Sequence, residues 1–286
     1  MAKIIGGVAT THVPSIGKAI ADKKHDDPYW KPFFGGFDYV HQWLAREKPD
    51  VAVFFYNDHG LNFFLDKLPT FAVGAAKEYR NEDEGWGIPV ARPALGDQAF
   101  SWHLINTLVA DEFDITMCQE MLIDHAVTIP LELMWPGHWP VKIVPIAINT
   151  VQHPLPSMAR CLKLGRAVGR AIESYPQDLR VMVVGTGGLS HQLTGTALGT
   201  IHQEWDREFL RIVAEEPERL CGYTHEELMR LGGTEGVEVV QWLFMRGALP
   251  KDARPFLTAY YPHRIMGYGL QAYDCTGTVP APDVSS

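Results

Sequence analysis

The apolar residues of this chain fall into short runs, and several of these runs end in a polar cluster that contains a histidine. Residues 51–56 are six apolar or aromatic positions in a row, the pattern of a buried strand, and Asn57-Asp58-His59-Gly60 stops it with turn-forming residues. Residues 3–9 form a second run, closed by Thr10-Thr11-His12-Val13-Pro14, where Pro14 cannot continue a paired strand. Residues 181–184 form a third and lead into Gly185-Thr186-Gly187-Gly188-Leu189-Ser190-His191. Strands are also predicted over 68–73, 113–117 and 141–148. Apolar positions at helical spacing predict helices over 37–46, 97–110, 129–135 (Pro130 in its first turn), 160–175, 204–215 and 225–231. Residues 29–34 are an aromatic-rich loop that either walls a pocket or caps the core. Residues 78–93, with Gly85, Gly87, Pro89 and Pro93, read as a long surface loop. Strands mixed with helices point to an α/β fold, in which ligand sites lie just past strand ends.

One predicted helix differs from the rest. Residues 234–247 open with a capping Thr234, close on Arg246-Gly247 and are apolar on nearly every face, so this helix is expected to be buried. Glu238 shares its face with Trp242 and Met245. A carboxylate there is costly unless a cation or strong donors meet it. A salt bridge satisfies that need, and so does a metal.

His12 and His59, each at the tip of a strand, are a candidate pair of metal ligands. With Glu238 they make a two-His, one-carboxylate set, the ligand pattern of non-haem Fe(II) oxygenases. Zinc hydrolases use the same residue types. The compact H-E-x-x-H motif is absent, and spacing alone does not choose the metal. His125, after Asp124, repeats the Asp58-His59 dipeptide; a carboxylate beside an imidazole fixes its tautomer, although sequence neighbours need not touch. His191 follows a glycine loop that lacks both the dinucleotide G-x-G-x-x-G and the P-loop Lys, so its glycines are read as allowing close backbone approach to a ligand.

Composition removes other classes. The 286 residues are 46% apolar and carry 25 basic against 34 acidic residues, a net charge of −9. No basic run suited to nucleic acid is present. No run approaches the about 18 apolar residues of a membrane span, and the first apolar run is too short for a signal-peptide core. Four cysteines without a C-x-x-C suggest neither a thiolate zinc site nor a disulfide framework and fit a reducing cytoplasm.

From about residue 3 to 272 the sequence resembles the class III extradiol ring-cleaving dioxygenases, specifically the catalytic β subunit of the protocatechuate 4,5-dioxygenase type and its gallate dioxygenase relatives. The resemblance rests on Thr11-His12-Val13-Pro14, Tyr56-Asn57-Asp58-His59, Asp83-Glu84-Gly85-Trp86-Gly87, Asp124-His125, residues 185–193, Glu235-Gly236-Val237-Glu238 and Met245-Arg246-Gly247-Ala248-Leu249. It implies a single α/β domain (residues 1–274) with a mixed central sheet flanked by helices; the tail 275–286, rich in Thr, Pro, Ser and Gly, is expected from its composition to be disordered. His12, His59 and Glu238 are then expected to hold Fe(II), His191 to act as acid/base and His125 to line the substrate pocket. The implied reaction is meta cleavage of a carboxylated catechol (protocatechuate, gallate or 3-O-methylgallate) by O2. A different two-His-one-Glu metalloenzyme, such as a zinc-dependent relative, is the competing reading, and a binding protein of the same fold is a second. Where the family has a Ser-Asn segment against the ring carboxylate, this chain reads Tyr260 to Tyr268; His263 or Arg264 is the candidate replacement, with a plain surface Arg as the alternative. The resemblance also implies oligomers and a small separate α subunit covering the site.

Overall fold

A computed structural model describes residues 1–279. In chain order the elements are β1 (Lys3–Thr10), α1 (Pro14–Ala21), α2 (Lys31–Glu47), β2 (Val51–Tyr56), β3 (Phe71–Gly74), the two-residue β4 (Glu78–Tyr79) and β5 (Ala94–Leu95), then α3 (Gln98–Ala110), β6 (Thr116–Cys118) and α4 (His125–Met134). They continue with β7 (Lys142–Ile148), α5 (Met158–Glu173), β8 (Arg180–Thr186), α6 (Gln203–Glu215), α7 (His225–Gly232), α8 (Val240–Ala248), β9 (Pro255–His263) and β10 (Met266–Asp274). Eight strands form one sheet in the order β6-β3-β7-β2-β8-β1-β10-β9. The central strands β7, β2, β8 and β1 run parallel, whereas β3 and β10 pair antiparallel to their central neighbours. The expected mixed α/β sheet is therefore present.

The central strands of the sheet are buried on both faces, which is why β2 and β8 read as unbroken apolar runs rather than alternating ones. On one face Phe244 of α8, Leu164 of α5, Leu104 of α3 and Phe209 of α6 form the core. On the other, Phe37, Val40 and Trp43 of α2 pack with Ile129 and Leu133 of α4. Helices α5 and α8 meet without spacing side chains: a Cβ on Gly165 would lie 2.3 Å from the Phe244 carbonyl oxygen.

Three expectations need correcting. Helix α2 begins at Lys31, so residues 31–34 of the expected aromatic loop are helical; Pro32 is tolerated because first-turn N–H groups have no helical acceptor. Helix α4 begins at His125, capped by the Asp124 carboxylate accepting from Ala126 N, and Pro130 lies in its interior. The 234–247 segment is not one α-helix. Residues Glu235–Val239 form a 3-10 turn before α8, and Thr234 makes no side-chain cap; its hydroxyl donates to Glu235 instead. Of the expected tail, residues up to Val279 are described: Thr278 donates to Glu47 at 2.6 Å and its backbone N–H donates to Asp274 at 2.9 Å. Residues 280–286 lie outside the described residues. Among the described residues no helix is long and apolar enough to cross a membrane.

Register explains where the site forms. Thr10 of β1 pairs with Thr186 of β8, and Phe55 of β2 pairs with Gly185. The ends of β2, β8 and β1 thus lie side by side at one level, and each is followed by its histidine.

Candidate functional site

His12, His59, His125, His191 and Glu238 all line one cavity of about 740 Å³, with His263 and Arg264 on its wall. Glu238 is the hub. Its Oε2 lies 3.6 Å from His12 Nε2 and 4.0 Å from His191 Nε2, and its Oε1 lies 3.5 Å from His59 Nε2. Asn57 Nδ2 donates to Glu238 Oε1 at 3.1 Å and the Gly188 amide donates to Oε2 at 2.9 Å, which fixes the carboxylate plane. The glycine loop makes this approach possible: a Cβ on Gly187 would sit 2.7 Å from the Glu238 carbonyl oxygen, and one on Gly188 2.9 Å from the His191 ring. The glycines let the backbone close on Glu238 and His191 themselves.

Histidine rings crowd the floor of the cavity. The His12 and His59 centroids are 5.1 Å apart, and His59 and His125 are 4.1 Å apart. Donor atoms of His12, His59 and His125 fall within 4.8 Å of one another, as a shared cation requires. Burial pushes the His12 imidazolium down to about 3, so this ring is neutral and keeps a free lone pair at physiological pH. Burial raises the Glu238 carboxyl, but His12, His59 and His191 outweigh it and hold the group well below the usual carboxylate range. Burial also acts against charge on His59; the Asp124 and Glu238 carboxylates prevail and push it up to about 10. A pocket that collects an ionised carboxylate, a neutral imidazole and a second imidazole pulled toward protonation is one in which a divalent cation replaces a proton.

The sequence pairs Asp58 with His59 and Asp124 with His125. The structure crosses them. Asp124 Oδ2 lies 2.9 Å from His59 Nδ1 and accepts the His59 amide at 2.7 Å. Asp58 instead accepts the amides of Gly60, Asn62 and Phe63, tying down the turn after His59. His125 has Glu84 as partner, with Nδ1 2.6 Å from Glu84 Oε2. Sequence reasoning missed Asp124 and Glu84 in these roles, since each acts on a ring 65 and 41 residues away respectively.

His191 is buried, and its Nδ1 lies 2.8 Å from the Leu189 carbonyl oxygen, which can only accept. Nδ1 therefore carries hydrogen and Nε2 faces the cavity. Ser190 beside it is stapled to buried Asp206 through its amide and hydroxyl, both at 2.7 Å. His263 is buried in an aromatic box, stacked on Trp30 at 5.3 Å and against Tyr29 at 4.2 Å, and its Nδ1 has no partner among the described residues. Arg264, with φ +50° at the hairpin turn between β9 and β10, is exposed, its guanidinium 5.9 Å from the Tyr29 ring centroid.

Comparison with known proteins gives consistent results. The model of the family described as the catalytic LigB subunit of aromatic ring-opening dioxygenase matches residues 6–270. A gallate dioxygenase from Pseudomonas putida is 42% identical over 181 residues, covering 63% of this chain and 53% of that protein. The matched region thus spans about half the length of that relative. A 2,3-dihydroxyphenylpropionate/2,3-dihydroxicinnamic acid 1,2-dioxygenase from Rhodococcus is 26% identical, covering 92% of this chain and 96% of that one. The crystal structure of an uncharacterized Escherichia coli protein shares the fold, with a TM-score of 0.54 at 14% identity over 93% of this chain and 99% of that chain.

Proposed function

The chain belongs to the family of catalytic LigB subunits of aromatic ring-opening dioxygenases, and from that premise we propose that it is an Fe(II)-dependent extradiol enzyme cleaving a carboxylated catechol. The observation that carries this reading is the convergence of His12 and His59 on Glu238 at the floor of the cavity. The donor set fits a divalent cation of intermediate softness: two imidazoles and a carboxylate, His12 Nε2 and His59 Nε2 lying 3.6 and 3.5 Å from the Glu238 oxygens, with no thiolate among them. Fe(II) held there supplies a centre at which a catechol and O2 are activated together.

The protein's own groups supply the rest. Asp124 orients His59, and Asn57 with the Gly188 amide orients Glu238, so two of the three ligands are held by hydrogen bonds before the cation arrives. His191, its Nδ1 hydrogen committed to Leu189, has one atom left for chemistry. Nε2 takes a proton from a substrate hydroxyl and returns it as the ring opens. His125 presents its other nitrogen to the bound ring. His263 and Arg264 bind the substrate carboxylate: both lie on the cavity wall, and Arg264 brings a permanent positive charge to it. Protocatechuate, gallate and 3-O-methylgallate all carry that group.

A separate small subunit covers the opening in this reading. Trp86, Val151, Leu193 and Ile265 come from four loops, line the cavity and stand 57%, 61%, 46% and 42% exposed, a ring of apolar side chains that a covering chain buries. The four free cysteines suit a reducing cytoplasm. The test is iron content. His12→Ala, His59→Ala and Glu238→Ala are each expected to lose Fe(II) and activity together. A variant that keeps full iron removes its residue from the ligand set, and retention by Glu238→Ala alone favours the His12–His59–His125 trio and a zinc-like site.

A further inference from the structure

Glu84 has no place in the chemistry described so far, yet both of its oxygens are spent on His125. It lies in a loop whose neck is tied by Asn81, which accepts from the Ala91 amide at 2.8 Å and donates to the Ala91 carbonyl at 3.0 Å. Inside the loop Gly85 and Gly87 adopt φ of +79° and +68°, a left-handed backbone that glycine takes without strain. Trp86 is thereby turned out to the cavity mouth while the Glu84 side chain stays 13% exposed. Glu84 Oε1 accepts the His125 amide at 2.8 Å, and Oε2 lies 2.6 Å from His125 Nδ1.

A carboxylate only accepts, so Nδ1 carries hydrogen and, in the neutral ring, Nε2 bears the lone pair. Nε2 makes no hydrogen bond among the described residues, and His125 lines the cavity. We propose that Glu84 is a positioning residue: it holds His125 in the Nδ1–H tautomer and turns Nε2 into the cavity as the acceptor for a substrate hydroxyl. This rests on reading the cavity as a catechol site. The rival role is structural. The His125 amide is the first of α4, and a carboxylate at a helix N-terminus is favourable by itself.

Glutamine separates the two roles. In Glu84→Gln the amide oxygen still accepts the backbone N–H, but the NH2 facing Nδ1 must donate, which forces hydrogen onto Nε2. Long-range ¹H–¹⁵N correlation on histidine-labelled, zinc-loaded full chain is expected to show His125 protonated at Nδ1 in the wild type and at Nε2 in Glu84→Gln. With Fe(II) enzyme and protocatechuate, Glu84→Gln and Glu84→Ala are expected to lose about 10- to 100-fold in kcat/KM with iron content unchanged. In a His125→Ala background Glu84→Ala should cost nothing further. A Glu84→Gln variant that keeps Nδ1–H with full kcat/KM overturns the proposal. So does a Glu84→Ala loss that persists without His125, which assigns Glu84 to the loop and helix alone. If His125→Ala leaves catechol binding and turnover intact while Glu84→Gln still switches the tautomer, the catechol reading of His125 fails and takes the proposal with it.

Discussion

His59 is oriented by Asp124, whose Oδ2 lies 2.9 Å from His59 Nδ1 and 2.7 Å from the His59 amide nitrogen. The same carboxylate caps α4 through Oδ1 and Ala126 N at 2.9 Å. One buried side chain thus joins a candidate metal ligand to the helix that carries His125.

Asp124→Asn can keep the cap through its amide oxygen, but it loses the charge and turns an NH2, which cannot accept, toward the His59 amide and Nδ1. The expected result is a fold of unchanged secondary structure whose metal affinity drops about 10- to 100-fold. Competition with a chelator of known affinity measures it. An unchanged affinity would show that the pair serves only to anchor α4.

His191 is expected to be separable from the metal. His191→Ala or His191→Phe should retain Fe(II) and bind catechol anaerobically while kcat falls by about 10²–10⁴-fold. Metal analysis beside steady-state kinetics decides. Loss of iron would make His191 a ligand and displace one of the three residues assigned above.

Arg264→Ala should raise KM for protocatechuate far more than for unsubstituted catechol, because only the former presents a carboxylate to the guanidinium. Equal effects on both substrates would reduce Arg264 to shaping the β9–β10 turn.

Glu47 makes stability depend on acid pH. It is 3% exposed and paired with Arg46, Arg180 and Thr278. Burial raises its carboxyl, but the Thr278 hydroxyl, Arg46 and Arg180 hold it below the usual range. A carboxyl depressed in the folded state stabilises above its unfolded value, about 4.3, and loses that contribution as pH falls through the folded value. Glu47→Gln should therefore cost on the order of 1–2 kcal/mol at pH 7. The gap between the two denaturation midpoints should close below about pH 4. A gap that stays constant with pH would assign the loss to packing.

Much of the frame was legible because it rests on local pattern. β1, β2 and β8 are apolar runs long enough to be buried on both faces, and turn residues mark their ends. The recurrence of His12, His59 and His191 after those ends marks three side chains that the structure brings to one cavity. The pattern of residues 255–274 does not read as the strands β9 and β10. Pro262 and the alternating Gly267 and Gly269 break it, and their reasons are tertiary. β9 is the sheet edge, where proline is tolerated. Gly267 leaves room for Asp206, whose Oδ2 would lie 2.1 Å from a Cβ there. Helix α1 has no sequence signal of its own, since it starts one residue after His12, with Val13 as its cap residue and Pro14 as its first residue. The crossed carboxylate–imidazole pairs were invisible for a similar reason: nothing in Asp124-His125 shows which of the two faces His59.

The most direct test of the account is oxygen consumption by the full chain reconstituted anaerobically with Fe(II), then given a limiting amount of protocatechuate or gallate in air-saturated buffer. One O2 consumed per catechol, with appearance of a ring-opened product and no such uptake by zinc-loaded protein, is the predicted result. Iron-loaded protein that binds catechols without consuming O2, or zinc-loaded protein that turns them over, would contradict it.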